Sequence, residues 1–342
     1  MSYAKELKVA LDAVRRASFL THSVAKQNVS ALEKDDKSPV TVADYGAQAV
    51  INSAIRQAFP NDNIVGEESS DEVKTHPELA TQLVRLASQF APEDPRFATT
   101  AEQADQSLEK AIANLCEAID FGKYEGGSKG RQWALDPVDG TKGFLRGGQY
   151  AVCLALIVDA EVKLGVIGCP NLGKQGGIYY AVRNQGGSWF PLYAADGEAL
   201  PDGGAEPQAL RFREVESVSD AQFCESVEAG HSAQGKQEKI AHTLGLTKPS
   251  IRMDSQAKYC SLASGAADIY LRLPVSLSYE EKIWDHAAGS LLITEAGGVV
   301  TDMYGSALDF GQGRTLKNNK GIVASSKALQ PKLLQIIAEP EK

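Results

Sequence analysis

The sequence has little of what a secreted or membrane-spanning protein needs. Its five cysteines lie far apart and include no Cys-x-x-Cys pair. An odd, scattered set of this kind, mostly inside apolar stretches, predicts reduced core thiols and a cytoplasmic location. No apolar stretch approaches the ~20 residues of a membrane span, and the first residues lack the apolar segment of a signal peptide. Internal repeats and low-complexity tracts are also absent.

Positive charge is scarce as well. The 342 residues include 35 Lys and Arg against 44 Asp and Glu, which gives a formal net charge of −9. This balance, and the lack of basic residues interleaved with aromatic ones, argues against a nucleic acid polymer as partner. No Ser or Cys stands in a recognisable nucleophile motif. A polyanionic substrate would therefore have to be met by local positive charge or by metal ions.

What the sequence does contain is a set of acids at the ends of predicted elements. A short apolar strand ends in Asp136 and Asp139, and Pro137 holds the backbone between them stiff. Gly140 then permits a tight turn, and Thr141 is a good cap for a following helix. The two acids can hold hard divalent cations, and a helix N-terminus can hold a phosphate. The alternative is a turn whose acids only solvate the end of a strand.

Three further acids occupy comparable positions. Glu67 follows a second predicted strand, which ends in glycine, and Asp285 stands at the start of an apolar helix. Asp44 lies at or near the start of another helix. Its simplest interpretation is an N-cap or first-turn aspartate that the helix dipole favours. The functional alternative is a carboxylate that orients a water molecule, and the two interpretations are compatible.

Two of these stretches resemble a known family. Residues 136–141, Asp-Pro-Val-Asp-Gly-Thr, and residues 284–289, Trp-Asp-His-Ala-Ala-Gly, resemble the paired signatures of the inositol monophosphatase superfamily of metal-dependent, lithium-sensitive phosphatases. The longer strings at residues 139–146 and 281–289 resemble one branch, the 3′(2′),5′-bisphosphate nucleotidases. The resemblance runs from about residue 7 to residue 334, and its two signatures stand in the family's order.

The resemblance implies a magnesium site. Mg²⁺ prefers oxygen ligands and keeps several waters, so a few carboxylates and one main-chain carbonyl are enough to hold it. The implied ligands of about two or three Mg²⁺ ions are Glu67, Asp136, Val138 through its carbonyl, Asp139 and Asp285. Inhibition by Li⁺ is implied by the resemblance alone.

The resemblance also implies how water and phosphate would be held. Asp44 and Thr141 are the implied catalytic pair, which positions the attacking water. Gly140 and Thr141 would offer N–H groups to the scissile phosphate at a helix start. Asp285 would have a second contact, with the ribose hydroxyl next to that phosphate.

The implied substrate side is basic and lies in the second half of the chain. Its residues are His231, Ser255, Lys258 and Arg272. Ser255 and Lys258 are three residues apart and are expected to face one way on a helix. Arg272 can clamp a phosphate with two hydrogen bonds. Taken singly, these residues have simpler interpretations: an ordinary loop histidine, and charges that are merely solvated.

The resemblance implies a layered α/β sandwich of the inositol monophosphatase type, and the sequence patterns agree with it. Runs of β-forming residues between positions 150 and 190 predict an antiparallel meander, whereas strands and helices alternate later in the chain. Residues 70–127 show only two weak helical patterns. The turn-rich segment 195–208 marks a boundary. We therefore predict an α+β metal-binding domain at residues 1–205 and an α/β nucleotide-side domain at residues 206–342.

Together with the acids at the strand ends, the resemblance implies a Mg²⁺-dependent phosphatase that hydrolyses 3′-phosphoadenosine 5′-phosphate to AMP and phosphate by metal-activated water attack. The resemblance also implies activity on 3′-phosphoadenylyl sulfate, and roles in sulfate assimilation and salt tolerance. We expect a monomer that acts on a small molecule, with neither a membrane nor a nucleic acid polymer as partner. The nearest alternative is an inositol polyphosphate 1-phosphatase, and a non-catalytic nucleotide sensor on the same fold is another.

Overall fold

The computed structural model describes residues 2–26, 31–33, 39–97, 108–200, 204–215, 217–228 and 234–339. Its helices are α1 Ala4–Lys26, α2 Val42–Ala58, α3 Asp71–Thr75, α4 Pro77–Phe90, α5 Leu108–Asp120, α6 Thr141–Leu145, α7 Gln234–Leu244, α8 Ala257–Ala263, α9 Ala287–Glu295 and α10 Gln330–Ala338. Its strands are β1 Ala31–Glu33, β2 Pro39–Thr41, β3 Asn63–Gly66, β4 Arg131–Asp139, β5 Ala151–Val158, β6 Glu161–Cys169, β7 Gly177–Val182, β8 Gly186–Phe190, β9 Gln208–Ala209, β10 Phe223–Glu225, β11 Ile251–Arg252, β12 Ile269–Arg272, β13 Gly298–Thr301 and β14 Ile322–Ser326.

The first large sheet is an antiparallel meander with one parallel strand at its edge. Within the described residues its strand order is β3-β4-β5-β6-β7-β8-β9. β3 runs parallel to β4, and each later pair is antiparallel. Asp159 and Ala160 connect β5 to β6 with φ of 50° and 65°, the left-handed geometry that suits a two-residue hairpin turn. The predicted meander is confirmed.

Helices cover this sheet on both faces. Alternate residues of a strand point to opposite sides, and β5 divides accordingly. Val152, Leu154 and Leu156 belong to the core cluster with α1 and α2. Cys153 and Ala155 belong to the cluster with α8 and α9. Burial on both faces explains why this strand is apolar throughout rather than alternating.

The second large sheet is mixed and lies against the other side of α8 and α9. Its order is β11-β10-β12-β14-β13, with β10 parallel to β11 and β12 and the remaining pairs antiparallel. Cys224 and Tyr270 pack in the cluster of α8 and α9, whereas Phe223 and Ile269 pack in the cluster of α7 and α10. The layers are therefore α1/α2, first sheet, α8/α9, second sheet, α7/α10, which confirms the predicted layered α/β fold.

Some details differ from the sequence-based expectations. β9 follows residue 205 but pairs with β8 of the first sheet, so that sheet continues past the predicted boundary. The division into residues 1–205 and 206–342 stays a prediction. The pair of short strands β1 and β2 and the helix α3 were not expected, because neither carries a clear periodic pattern. Among helices in the described ranges, none combines the length and apolar character needed to cross a membrane.

Candidate active site

Two parallel strands bring the first acids to the same edge of the first sheet. β3 and β4 pair with Gly66 opposite Leu135, so Glu67 and Asp136 follow at the same level. The Glu67 amide donates to the Leu135 carbonyl at 3.3 Å and extends the ladder by one bond. Asp136 is buried, whereas Glu67 is exposed at the cleft. Two acids that lie far apart in the sequence are therefore neighbours in the fold.

The turn after β4 joins several predicted site residues directly. The Val138 amide donates to Asp136 Oδ1 at 3.1 Å, and Gly140 closes the turn with φ of 87° just before α6 begins. The Thr141 hydroxyl donates to the Val138 carbonyl at 3.2 Å, which connects the implied catalytic hydroxyl with the implied metal-ligating carbonyl. Asp44 is buried in the first turn of α2. Its pairing with Thr141 stays a prediction.

Gln256 connects the two signature segments. Its main-chain amide donates to Asp139 Oδ2. Its side-chain Nε2 donates to the Trp284 carbonyl at 2.8 Å, and its Oε1 accepts from the Gly289 amide at 3.0 Å. One buried residue thereby holds the segment around residues 284–289 against the carboxylate of the first signature. No sequence pattern pointed to Gln256.

Asp285 belongs to a compact acidic group. In the described part of the chain, Glu281, Asp285 and His286 have potential ligand atoms within 4.8 Å of one another. Glu281 lies 2.9 Å from Arg272 Nε and 3.2 Å from His286 Nε2, while His286 Nδ1 lies 2.9 Å from the Tyr259 hydroxyl. Although burial opposes it, the charges of Arg272 and His286 lower the pKa of Glu281 to about 2. Asp285 is the member of the group that lines the cleft.

The carboxylates at the cleft raise one another's pKa. Burial raises the pKa of Asp136 well above its usual range, and the charges of Glu67, Asp139 and Asp285 act in the same direction. Burial likewise raises the pKa of Asp285, with repulsion from Asp139 adding to it and Arg272 opposing it. Carboxylates this close together repel one another when they are ionised, and a bound cation would offset that repulsion.

Ser255 and Lys258 both line the cleft, but not as expected. Ser255 has φ of 68°, which is outside helical geometry, and its hydroxyl accepts from the Ala257 amide at 3.1 Å just as α8 begins. Lys258 lies inside the helix, where its ammonium donates to the carbonyls of Ser255 at 2.8 Å and Met253 at 3.3 Å. The prediction that the two residues share one helix face is wrong, because Ser255 precedes the helix.

Arg272 stands at the end of β12 and also lines the cleft. Its Nε is paired with Glu281, and its Nη2 lies 3.9 Å from Asp285. The guanidinium therefore faces the acids from the second sheet, with part of its hydrogen-bonding capacity already used. His231, the remaining implied substrate residue, lies outside the described residues.

The cleft also contains residues that the sequence analysis missed. Lys142 lines it beside Gly140 and Thr141, and its ammonium lies 3.7 Å from Glu228. Its place inside the first signature could have identified it. Tyr279 lines the cleft from an exposed loop, where no periodic pattern marks it.

Comparisons with known proteins agree with this geometry. Residues 2–341 match the sequence profile of the Inositol monophosphatase family. The 3′(2′),5′-bisphosphate nucleotidase of Emericella nidulans is 48% identical over 357 residues, covering 98% of this chain and 98% of that protein. The protein of the same name from Oryza sativa is 41% identical, covering 99% of this chain and 95% of that protein. These relatives confirm the resemblance to the nucleotidase branch.

Solved structures share the fold. Thermotoga maritima IMPase has a TM-score of 0.63 and 21% identity, with 97% of this chain and 96% of that chain covered. CysQ from Bacteroides thetaiotaomicron has a TM-score of 0.59 and 20% identity, with 94% and 96% covered. At these identities the likeness concerns the fold alone, whereas the profile match and the sequence relatives span nearly the whole chain. The chain belongs to the inositol monophosphatase family.

Proposed function

We propose that this chain is a Mg²⁺-dependent phosphatase that hydrolyses 3′-phosphoadenosine 5′-phosphate to AMP and phosphate. The observation that carries the proposal is that both signature segments meet basic side chains in one cleft. Asp136, Asp139 and Asp285 line this cleft together with Lys258 and Arg272. The relatives named 3′(2′),5′-bisphosphate nucleotidases support the substrate class.

The chemistry of the donor set fits Mg²⁺. The cleft offers hard oxygen donors, and burial together with repulsion from neighbouring carboxylates raises the pKa of Asp136 and Asp285. The residues that would hold the metal are Glu67, Asp136, Val138 through its carbonyl, Asp139 and Asp285. When bound, Mg²⁺ would neutralise phosphate charge and acidify the attacking water.

The chain's own residues would position the water. The Thr141 hydroxyl donates its proton to the Val138 carbonyl, so its oxygen can accept a hydrogen bond from a water molecule. Asp44 is buried close enough for its charge to raise the pKa of Asp136. A carboxylate there can accept the second proton of the same water. Two acceptors on one water would aim its lone pair at the phosphorus.

The basic residues would bind the rest of the nucleotide. Two carbonyls accept hydrogen bonds from the Lys258 ammonium, which has three protons to donate, so one remains for a phosphate oxygen. Arg272 uses its Nε on Glu281, and its two terminal nitrogens can still make a charge-assisted contact. Ser255 and His231 are proposed as further contacts, and Gly140 and Thr141 as main-chain donors to the scissile phosphate.

The test is phosphate release from three substrates assayed in parallel with Mg²⁺. They are 3′-phosphoadenosine 5′-phosphate, inositol 1,4-bisphosphate and inositol 1-phosphate, each with and without millimolar Li⁺. We expect fast release from the nucleotide, its suppression by Li⁺, and its loss in Asp139→Asn. Release mainly from the inositol substrates would keep the metal site and overturn the substrate assignment. No release from any of them would indicate a binding protein on this fold.

Activity on 3′-phosphoadenylyl sulfate, and with it a part in sulfate assimilation and salt tolerance, belongs to the same proposal. The sulfated cofactor carries the same 3′-phosphate, so the same cleft would accept it. A cytoplasmic location is supported by the five cysteines, all of them free and buried. A monomeric state is an expectation that gel filtration would test.

A further inference from the structure

Arg314 makes an unusual set of contacts, and the proposed function does not assign it a role. It lies between β13 and β14 and does not line the cleft. Its Nη2 donates to the Gly66 carbonyl at 2.5 Å, and its Nη1 donates to the carbonyls of Tyr124 at 3.1 Å and Gly122 at 3.4 Å. The guanidinium carbon lies 4.7 Å from the centroid of the Trp284 ring. The guanidinium of Arg314 thus contacts three main-chain carbonyls and one indole ring.

The first of these contacts fixes the backbone of Glu67. The Gly66 carbonyl and the Glu67 amide belong to one rigid peptide plane. Arg314 holds its oxygen, and the Leu135 carbonyl accepts from its nitrogen at 3.3 Å. The following residue is clamped as well, because the Gln48 side chain accepts from the Glu68 amide at 3.0 Å and donates to the Glu68 carbonyl at 2.7 Å.

The same residue is joined to the segment that carries Asp285. The Arg314 carbonyl accepts from the Ile283 amide at 3.1 Å, and the Leu316 amide donates to the Glu281 carbonyl at 2.8 Å. The main chain of Arg314 is therefore bonded one residue before Trp284, while its side chain lies over the Trp284 ring. Asp285 is the next residue.

We propose that Arg314 is a positioning residue that sets the spacing between Glu67 and Asp285, and thereby the affinity of the site for a divalent cation. The inference rests on the proposed function, because it takes both carboxylates as metal ligands. These two ligands come from separate parts of the chain, and Arg314 contacts the segments that carry both of them. Residues that orient metal ligands typically contribute about 10–100-fold to metal affinity.

Lysine cannot take over this role. Its single ammonium cannot reach three carbonyls in a fixed fork and cover an aromatic face at the same time. Arg314→Lys therefore keeps the charge and removes the geometry. Arg131→Lys is the control, because Arg131, like Arg314, combines hydrogen bonds with an aromatic contact. Its guanidinium bonds to Asp62 and lies 5.7 Å from the centroid of the Phe59 ring. It stands at the start of β4, at the opposite end of that strand from Asp139.

The experiment is calorimetric titration of the full-length folded chain with Mg²⁺ in the absence of substrate. We expect Arg314→Lys to bind Mg²⁺ roughly 10–100-fold more weakly than the wild type, and Arg131→Lys to bind it as the wild type does. At saturating Mg²⁺ the KM of Arg314→Lys for the nucleotide should be unchanged, since Arg314 does not touch the cleft. Equal Mg²⁺ affinity of Arg314→Lys and the wild type would overturn the inference.

Two further measurements keep the result interpretable. In a Glu67→Gln background, Arg314→Lys should weaken Mg²⁺ binding by less than it does alone, because the two residues act together; full additivity contradicts the inference. If Arg314→Lys does not fold, Trp284→Phe replaces it. We then expect the affinity for Mg²⁺ to fall about two- to fivefold, because phenylalanine makes a weaker cation–π contact with Arg314. An unchanged affinity for Mg²⁺ would count against the inference. A wild type that neither binds Mg²⁺ nor releases phosphate refutes the proposed function itself.

Discussion

The main-chain amide of Gln256 donates a hydrogen bond to the carboxylate of Asp139. This bond joins the start of α8, which lies between the two sheets, to the end of β4 in the first sheet. Because the Gln256 side chain also bonds to Trp284 and Gly289, the two signature segments are connected through one buried residue. The candidate site therefore depends on how the two sheets are joined, as well as on the acids themselves.

Gln256→Met should weaken both folding and metal binding. The substitution leaves the main-chain bond to Asp139 in place but removes the partners of the Trp284 carbonyl and the Gly289 amide. Each buried group left unpaired costs about 1–3 kcal/mol, which urea denaturation would measure. Because the segment before Asp285 loses its anchor, we also expect Mg²⁺ affinity to fall roughly tenfold or more.

Gln330→Met is the control for this prediction. Gln330 is buried on α10, where its amide contacts Ser325, Thr301 and Val323, away from the cleft. It should lose a comparable amount of folding stability while keeping the Mg²⁺ affinity of the wild type. Similar Mg²⁺ affinities for the two variants would show that Gln256 supports the fold alone.

Gly140→Ala tests the turn that brings the catalytic segment against the substrate side. Gly140 has φ of 87°, and a Cβ there would lie 3.0 Å from the Cβ of Ser255. Gly130 has φ of 81° and nothing within 4 Å of such a Cβ. Both substitutions should therefore cost about 1–2 kcal/mol of backbone strain. Only Gly140→Ala should displace Ser255, and we expect it alone to raise the KM for the nucleotide. An equal KM in the two variants would mean that the close approach does not matter.

Much of this architecture could be predicted because its signals are local. Buried strands appear as apolar runs, and the turn after β4 is marked by Pro137 and Gly140. Asp136 and Asp139 follow directly from that pattern, and Asp285 from the start of an apolar segment. The resemblance to a family then placed these acids in one site, which no local pattern could do.

The rest depends on contacts between residues far apart in the chain. Ser255 has a left-handed φ, which is uncommon for serine and which the sequence does not indicate. Its place before α8 could therefore not be inferred from spacing. The side chains of Gln256 and Arg314 bond to main-chain groups, which every residue has, so the sequence does not show which residues they contact. Residue 208 continues the first sheet past a turn-rich stretch, because strand pairing there outweighs the local turn signal.

Lys258→Met tests the substrate side. Methionine matches the length of the buried stem but removes the charge beside Asp139. A charge-assisted hydrogen bond contributes about 1.5–3 kcal/mol, so we expect the KM for 3′-phosphoadenosine 5′-phosphate to rise roughly tenfold to a hundredfold. Lys239→Met, on the exposed face of α7, should leave it unchanged. If the KM for the nucleotide does not move in Lys258→Met, the assignment of Lys258 to the substrate is wrong.

Asp120 should make folding stability depend on pH. It joins the end of α5 to both ends of the short helix α3 by accepting from the Ser70 amide and the Lys74 ammonium, both at 2.9 Å. Burial opposes the shift, but these hydrogen bonds and one from Lys123 lower the pKa of Asp120 from 3.8 to about 2. A carboxyl whose pKa is lower in the folded state stabilises it fully above the unfolded value of 3.8, and this stabilisation is lost as the pH falls towards 2.

Asp120→Asn therefore tests this contribution, because the difference in the free energy of unfolding between variant and wild type should depend on pH. At pH 7 it should lower the free energy of unfolding by about 1–2 kcal/mol. The side chain is 24% exposed, so solvent screens part of the interaction and the loss is smaller than the whole pKa shift would give. The gap from the wild type should narrow as the pH falls below about 4. Urea denaturation at several pH values would measure it, with Asp196→Asn in an exposed turn as the control that shows no gap. A gap that stays constant from pH 7 to pH 3 would mean that the Asp120 charge is not what holds α3 to α5.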